Sequence, residues 1–453
     1  MTIFNNEFAF DTLLFLTALF TGYELIEKVD MFVTSTCSFI LHIFNFIIKM
    51  LFPVIMIIGI ASIFPLLSSG PLWSLMSNQV TETWNSYQFA HIIFISNLYP
   101  FNNNIGESCW LPWLWFISTE FQFFFICLGI TILYKRNWLA ASIWTWAICI
   151  GSLAISALAA SFGSTVTLSQ YDDNSYALFT KPWSRIFGYS LGLFVGFIMY
   201  EFNKELKQDQ KRRFGWQVIS WMENMNINRR TIFIIFAFIW MAVPSIFQWV
   251  FLSYDSLSPF NVTSKEKTFY IIYITVWKPV YFFGFTVIIV FCLLNKLKWI
   301  TTVLGNYVWG PFSELSYSAY MIHFFVIIYY YGSLLQTLYI SIPDMVFTSL
   351  AIWFLSIATA IPFAFLVEIP SKNLMELILA TMQRYRNEDE SLENDAKNTT
   401  SDGKNTGTKE NDISTASANL IFLSGMMASR KESNRKKKND KVDSDYQEKI
   451  KKD

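Results

Sequence analysis

Apolar and polar positions in this chain do not alternate; apolar residues come in long blocks separated by short polar connections. A membrane helix needs about 20 mostly apolar residues to cross the hydrocarbon core. Nine blocks reach that length, at about 8–26, 49–67, 111–134, 138–161, 184–202, 231–252, 269–294, 317–340 and 345–369. None shows the two-residue period of a strand, and lipid admits only structures that satisfy their own backbone. The pattern predicts an all-α polytopic membrane bundle of about nine transmembrane helices. Phe32–Ile48 is also apolar and runs into the second block, as an interfacial helix or as part of a long bent one. Ile421–Met427 is an apolar island too short to span.

Composition agrees with this reading. The 453 residues are 53% hydrophobic, 18% aromatic and only 15% charged, against about 25% charged in an ordinary soluble domain. The net charge is zero, but its distribution is uneven: 31 of the 68 charged residues fall in Ser371–Asp453. We therefore divide the chain into a transmembrane domain, 1–377, and a cytosolic tail, 378–453, whose composition is that of a disordered segment. The tail holds Arg435-Lys436-Lys437-Lys438, either a solvated charge run or an attraction to anionic lipid. No folded region is basic enough to neutralise many phosphates, which argues against nucleic acid as a partner. The first block lacks a basic leader and carries Asp11 and Glu24, so it reads as a retained helix rather than a cleaved signal.

Lys and Arg concentrate in alternate connections. Ser68–Trp110 has none, Lys135 and Arg136 occupy the next connection, and 203–230 has seven, from Lys204 to Arg230. Positive charge stays on the cytosolic side. The expected orientation is an N-terminus outside or luminal and a C-terminus cytosolic. The Asn261-Val262-Thr263 sequon then falls on the luminal side.

A few charges lie inside the blocks, where charge is costly and faces the bundle interior. They are Asp11, Glu120 beside Gln122, Arg185, Lys278 followed by Pro279, His323 and Glu368. Each alone is read equally well as an interhelical pair; together they point to a polar cavity. Pro279 lacks an amide hydrogen and frees backbone carbonyls beside Lys278. Gly188, Gly192 and Gly196 recur every four residues, which bares one helix face for close packing. The five cysteines form no CxxC pair, and the three histidines have no metal-ligand spacing, so no metal site is expected. No GxSxG elbow, P-loop or dinucleotide fingerprint is present.

Seven strings in order resemble one family. Asp11-Thr12-Leu13-Leu14-Phe15-Leu16 is similar to a VDTFFFLSG helix, and Ser69-Gly70-Pro71-Leu72-Trp73 to a GSGPLW loop. Cys109 through Gln122-Phe123, with Trp113, Trp115 and Glu120, resembles C…WxWYxxxDxQF. Lys181-Pro182-Trp183-Ser184-Arg185 with Gly192 resembles KPYTR…G, and Lys278-Pro279-Val280-Tyr281 with Cys292 resembles RPLW…C. Leu315 to His323, through Tyr317 and Tyr320, resembles LTYxAYLxH, and Glu368-Ile369-Pro370 a closing ExP. The family is the membrane acyltransferase 3 family, in its eukaryotic branch named for nose resistance to fluoxetine, and the strings cover about residues 5–377.

The resemblance implies a ten-helix core that moves an acyl group from acyl-CoA, with no bound cofactor, to a hydroxyl of a lipid or glycan. It implies catalytic roles for His323, Glu120 and Lys278. It places Asp11, Arg185, Gln122 and Tyr320 around the substrate, with Arg185 and Lys278 holding phosphates or an oxyanion if they share a cavity. Membrane lipids, the acyl donor and the hydroxyl acceptor are the implied partners. The chain departs from the family in several places. Its first helix, ending in a histidine treated as the base, has no counterpart before Met1, and the luminal N-terminal domain is absent. Glu120 replaces Asp, Lys278 replaces Arg, Thr17-Ala18 replace Ser-Gly, and Cys109 lacks its expected partner. Three alternatives follow: a chain incomplete at its N-terminus, a catalytically impaired family member that handles lipids or small molecules, or a secondary transporter.

Overall fold

A computed structural model describes residues 7–34, 36–69, 72–74, 84–99, 111–162, 180–204, 214–254, 268, 271–335, 341–374, 376–378 and 380–381. Cys109, the Asn261 sequon and the tail beyond Thr381 lie outside them. The described residues are helical, with no strand among them. In chain order the helices are α1 Glu7–Thr34, α2 Thr36–Ile63, α3 Trp84–Ile92, α4 Trp115–Arg136, α5 Trp138–Phe162, α6 Pro182–Asn203, α7 Phe214–Glu223, α8 Ile227–Tyr254, α9 Lys278–Leu293, α10 Lys298–Leu304, α11 Gly310–Gly332 and α12 Ile342–Phe363.

Among the described residues, eight helices are long and apolar enough to cross a membrane. This is an integral, multi-pass membrane bundle. The ninth expected block falls on α11, a 23-residue helix packed against α12. Its tyrosines and His323 dilute its apolar character, which is why it stands apart from the other eight. The apolar stretch before the second block proves to be the first half of one helix: α2 runs unbroken from Thr36 to Ile63 with Pro53 inside it.

The glycine face of α6 sets the packing. A Cβ at Gly192 would overlap the Phe15 carbonyl of α1, and one at Gly196 would lie 2.5 Å from the Leu19 oxygen. At Gly188 it would meet the Phe282 ring at 2.9 Å and the Asp11 oxygen at 3.0 Å. Conversely, Gly22 of α1 leaves room for Leu193. The two helices thus approach backbone to backbone. α1 also packs on α4 and α2, while α5 and α7 pack on α6, and α9 pairs with α8.

Two of the described segments are wound wider than an α-helix. Tyr273–Trp277 forms a π turn immediately before Lys278 and Pro279, and Ala364–Glu368 forms another after Pro362. A proline lacks the amide that would continue the regular ladder, and π turns are frequent at functional positions.

Replacing Gly192 with Leu forces α1 and α6 apart and is expected to cost more than the 1–3 kcal/mol typical of overpacking, roughly, because the obstacle is backbone. Gly151→Ala, at a position with open space around it, is expected to leave stability unchanged or slightly raised. Thermal unfolding midpoints and monodisperse yield in detergent distinguish the two.

Candidate functional site

Four residues meet in one layer because they occupy the same end of four elements. Asp11 lies near the start of α1, Trp115 opens α4, Arg185 lies in the first turn of α6, and Lys278 opens α9. At their other ends, Asp30 of α1 pairs with Lys135 of α4 at 2.8 Å, and Glu27 of α1 with Lys204 after α6 at 3.9 Å. α1, α4 and α6 therefore run in the same direction.

Within the layer, the Arg185 guanidinium donates to Asp11 Oδ1 at 3.1 Å. The Lys278 ammonium lies 2.7 Å from Asp11 Oδ2 and donates to the Ser184 carbonyl at 2.6 Å. Arg185 also sits over the Trp115 ring, 5.6 Å from its centroid. All three charges are buried, Asp11 and Arg185 to within 2% exposure. Charges this deep persist only when paired and hydrogen-bonded. Ser184 is turned back onto its own helix, its hydroxyl donating to the Lys181 carbonyl at 2.7 Å, and Lys181 itself is buried.

A second polar group lies deeper. Thr17 donates to Glu120 Oε1 at 3.2 Å. Thr17 is six residues beyond Asp11 on α1, or about 9 Å along the axis. Tyr317 of α11 is close enough to interact electrostatically with both Glu120 and Glu368, and its buried hydroxyl has no hydrogen-bond partner among the described residues. Glu120, Tyr317 and Tyr320 are partly exposed, and the two tyrosines pack against the core.

The third group is Glu368, on the second π turn. Its carboxylate accepts from Ser318 of α11 and from Lys372, the latter at 2.6 Å, while its carbonyl accepts from Ser371 at 2.9 Å.

His323 belongs to α11. Its Nδ1 lies 2.6 Å from the Tyr320 carbonyl, which can only accept. In the neutral ring Nδ1 therefore carries the proton, and Nε2 presents its lone pair with no partner among the described residues. The Tyr320 hydroxyl donates to the Trp113 carbonyl, and Trp113 Nε1 donates to the Met321 carbonyl at 3.2 Å. Trp113 thus fixes the turn of α11 that bears His323, from a position two residues before the Trp115 that supports Arg185.

Not every expected site residue joins this arrangement. Gln122 is committed elsewhere: its amide donates to Asn97 Oδ1 at 2.7 Å and to the Phe94 carbonyl at 2.9 Å, and its oxygen accepts from Asn97 at 3.1 Å. With Asn97 to Thr119 and Ser96 to Ser118, it holds the turn after α3 against α4. Phe94 has φ 56°, a strained value for a bulky residue, and the Gln122 bond helps hold it there. Arg185 and Lys278 share Asp11 rather than an open cavity. Thr17, Tyr317, Ser318 and Lys372 join these groups although the sequence pattern assigned them no site role. Lys372 had a signal, its four-residue spacing from Glu368. Among the described residues no group of His, Cys, Asp and Glu is arranged to hold a metal ion.

No family model matches the chain, nor does any curated protein or solved structure.

Asp11→Ala strands two buried cations in one layer. It is expected to cost about 3–5 kcal/mol, read from thermal unfolding in detergent. Adding Lys278→Met to that variant is expected to recover part of the loss, since one of the stranded charges is then gone. If the double variant loses the sum of the single losses, the coupling is absent.

His91 of α3 is buried with neither ring nitrogen bonded among the described residues, and burial pushes it down to about 4 from its ordinary value. Its neutral form favours the folded state fully above about pH 6.5, and that contribution is lost as pH falls toward 4. His91→Phe is expected to flatten the fall in unfolding midpoint over that window.

Proposed function

We propose that the chain transfers an acyl group from acyl-CoA to a hydroxyl group of a lipid or glycan. The observation that carries this reading is His323, an intramembrane imidazole with Nδ1–H tied to the Tyr320 carbonyl and Nε2 open. That is the tautomer a general base needs. The order of the seven strings supports it.

In this reading Nε2 takes the proton of the acceptor hydroxyl as its oxygen attacks the thioester carbonyl. The tetrahedral intermediate collapses with cleavage of the C–S bond, and the imidazolium returns the proton to the departing thiolate. The products are an ester and free CoA. His323 lies nine residues before the end of α11, about 14 Å from that end, and packs against Trp113 ahead of α4. With the N-terminus luminal, as the loop charges argue, the Asp11–Arg185–Lys278 layer sits toward the lumen. It then serves the acceptor side and the developing oxyanion. The phosphates of a donor arriving from the cytosol meet the opposite end, where Lys296 and Lys298 lie.

A transport reading has its own observation. The ion layer, Thr17–Glu120, and Ser318–Glu368–Lys372 form successive polar groups within the bundle, two of them beside π turns. Movement of a solute without an acylated product favours that class.

The test is acyl transfer from labelled palmitoyl-CoA in membranes bearing the full chain, followed through the lipid and glycan fractions. His323→Ala is expected to lower turnover about 10²–10⁴-fold, the range general-base catalysis contributes. Unchanged turnover at equal expression removes His323 from the reaction and the proposed mechanism with it.

A further inference from the structure

A cavity of about 460 Å³ opens on the flank of α6, lined by none of the ion-layer residues and starting beside them at Phe187 and Pro279. Its walls are α5, α6 and α9, and its floor is α7. It falls within the size range of ligand sites. It is a recess and not merely an exposed face: Cys149, Phe187, Val195, Ile219, Val287 and Val290 line it and are each less than 9% exposed. The rim is different. Trp146, Ile150 and Phe283 are 46%, 65% and 54% exposed on the outer surface of membrane-spanning helices.

Three features identify the occupant. First, the lining holds no charged side chain and is apolar except for Thr286, whose buried hydroxyl has no partner among the described residues. Second, the recess runs from Phe187 to Ile198 on α6 and from Pro279 to Val290 on α9. Either stretch is about 16 Å at helical rise, close to half of a hydrocarbon core roughly 30 Å thick. Third, the far end is closed. α7 lays Ile219 and Met222, three residues apart on one face, across the end, and Gly215 sits so close to Ile198 that a Cβ there would lie 2.6 Å from its side chain. A blind apolar slot, open sideways to lipid and one leaflet long, fits a hydrocarbon chain.

We infer that this slot between α5, α6 and α9 binds a single acyl chain of a bilayer lipid, which enters laterally. The inference does not depend on acyl transfer at His323. The bound chain packs against the face of α6 that carries Phe187 and Val195, so its presence supports the helix that holds Arg185.

The experiment reconstitutes the full chain in vesicles of phosphatidylcholine containing a small fraction of phosphatidylcholine with a photoactivatable diazirine on one palmitoyl chain. Mass spectrometry then maps the cross-links on the unaltered protein. They are expected to concentrate on α5, α6, α7 and α9 residues of the slot. Val287→Phe or Leu191→Phe fills the slot and is expected to lower labelling there about tenfold. Ile239→Phe, on the exposed face of α8, is expected to leave it unchanged. Cross-links spread evenly over the slot and the outer face of α8 overturn the inference, as does slot labelling that persists in folded filling variants. Should both filling variants fail to fold, the map on the unaltered protein decides the matter.

Discussion

The backbone contact between α1 and α6 is the constraint on which the rest depends. Glycine at 188, 192 and 196 removes the side chains that would hold the two helices at ordinary separation. In lipid there is no hydrophobic drive to bring apolar helices together, so close surface matching must supply the attraction. The contact also settles where a carboxylate can go. Asp11 lies opposite Gly188, one turn from Arg185, and the approach that glycine permits lets the two charges meet. α1 then carries its own consequences outward, through Thr17 to Glu120 on α4 and through Asp30 and Glu27 to the lysines at the other end.

The ion layer illustrates how a low dielectric shapes side-chain choice. Arg185 engages Asp11 and an aromatic face at once, which its planar, weakly hydrated guanidinium permits. Lys278 is a compact charge and is satisfied differently, by Asp11 and a backbone carbonyl. That carbonyl belongs to Ser184, in the same turn as Arg185, so a single turn of α6 bears one cation and receives the other. Glu368 follows the same logic on the other π turn, with a serine from one helix and a lysine from its own.

Much of this was legible in the sequence, for identifiable reasons. Block length in the chain marks membrane helices because hydrocarbon thickness fixes it, and a four-residue glycine repeat marks a packing face because helical pitch fixes it. Isolated intramembrane charges stood out for the same reason, since their cost is high wherever they lie. Their partners were another matter. Asp11 and Arg185 are 174 positions apart, and nothing local joins them. Gln122 illustrates the opposite failure. It reads as a site residue close to Glu120, but a separation of two helical positions turns it toward Asn97, in a turn whose fold follows from tertiary contacts. The Phe94 conformation left no mark at all, because no glycine advertises it.

The tyrosine-rich character of α11 bears on how the bundle is assembled. A segment so diluted by hydroxyls and an imidazole partitions weakly into hydrocarbon by itself. Its densest packing is with α12, the next helix in the chain and a strongly apolar one. α11 therefore reaches the bilayer interior as one arm of a hairpin, carried by its successor.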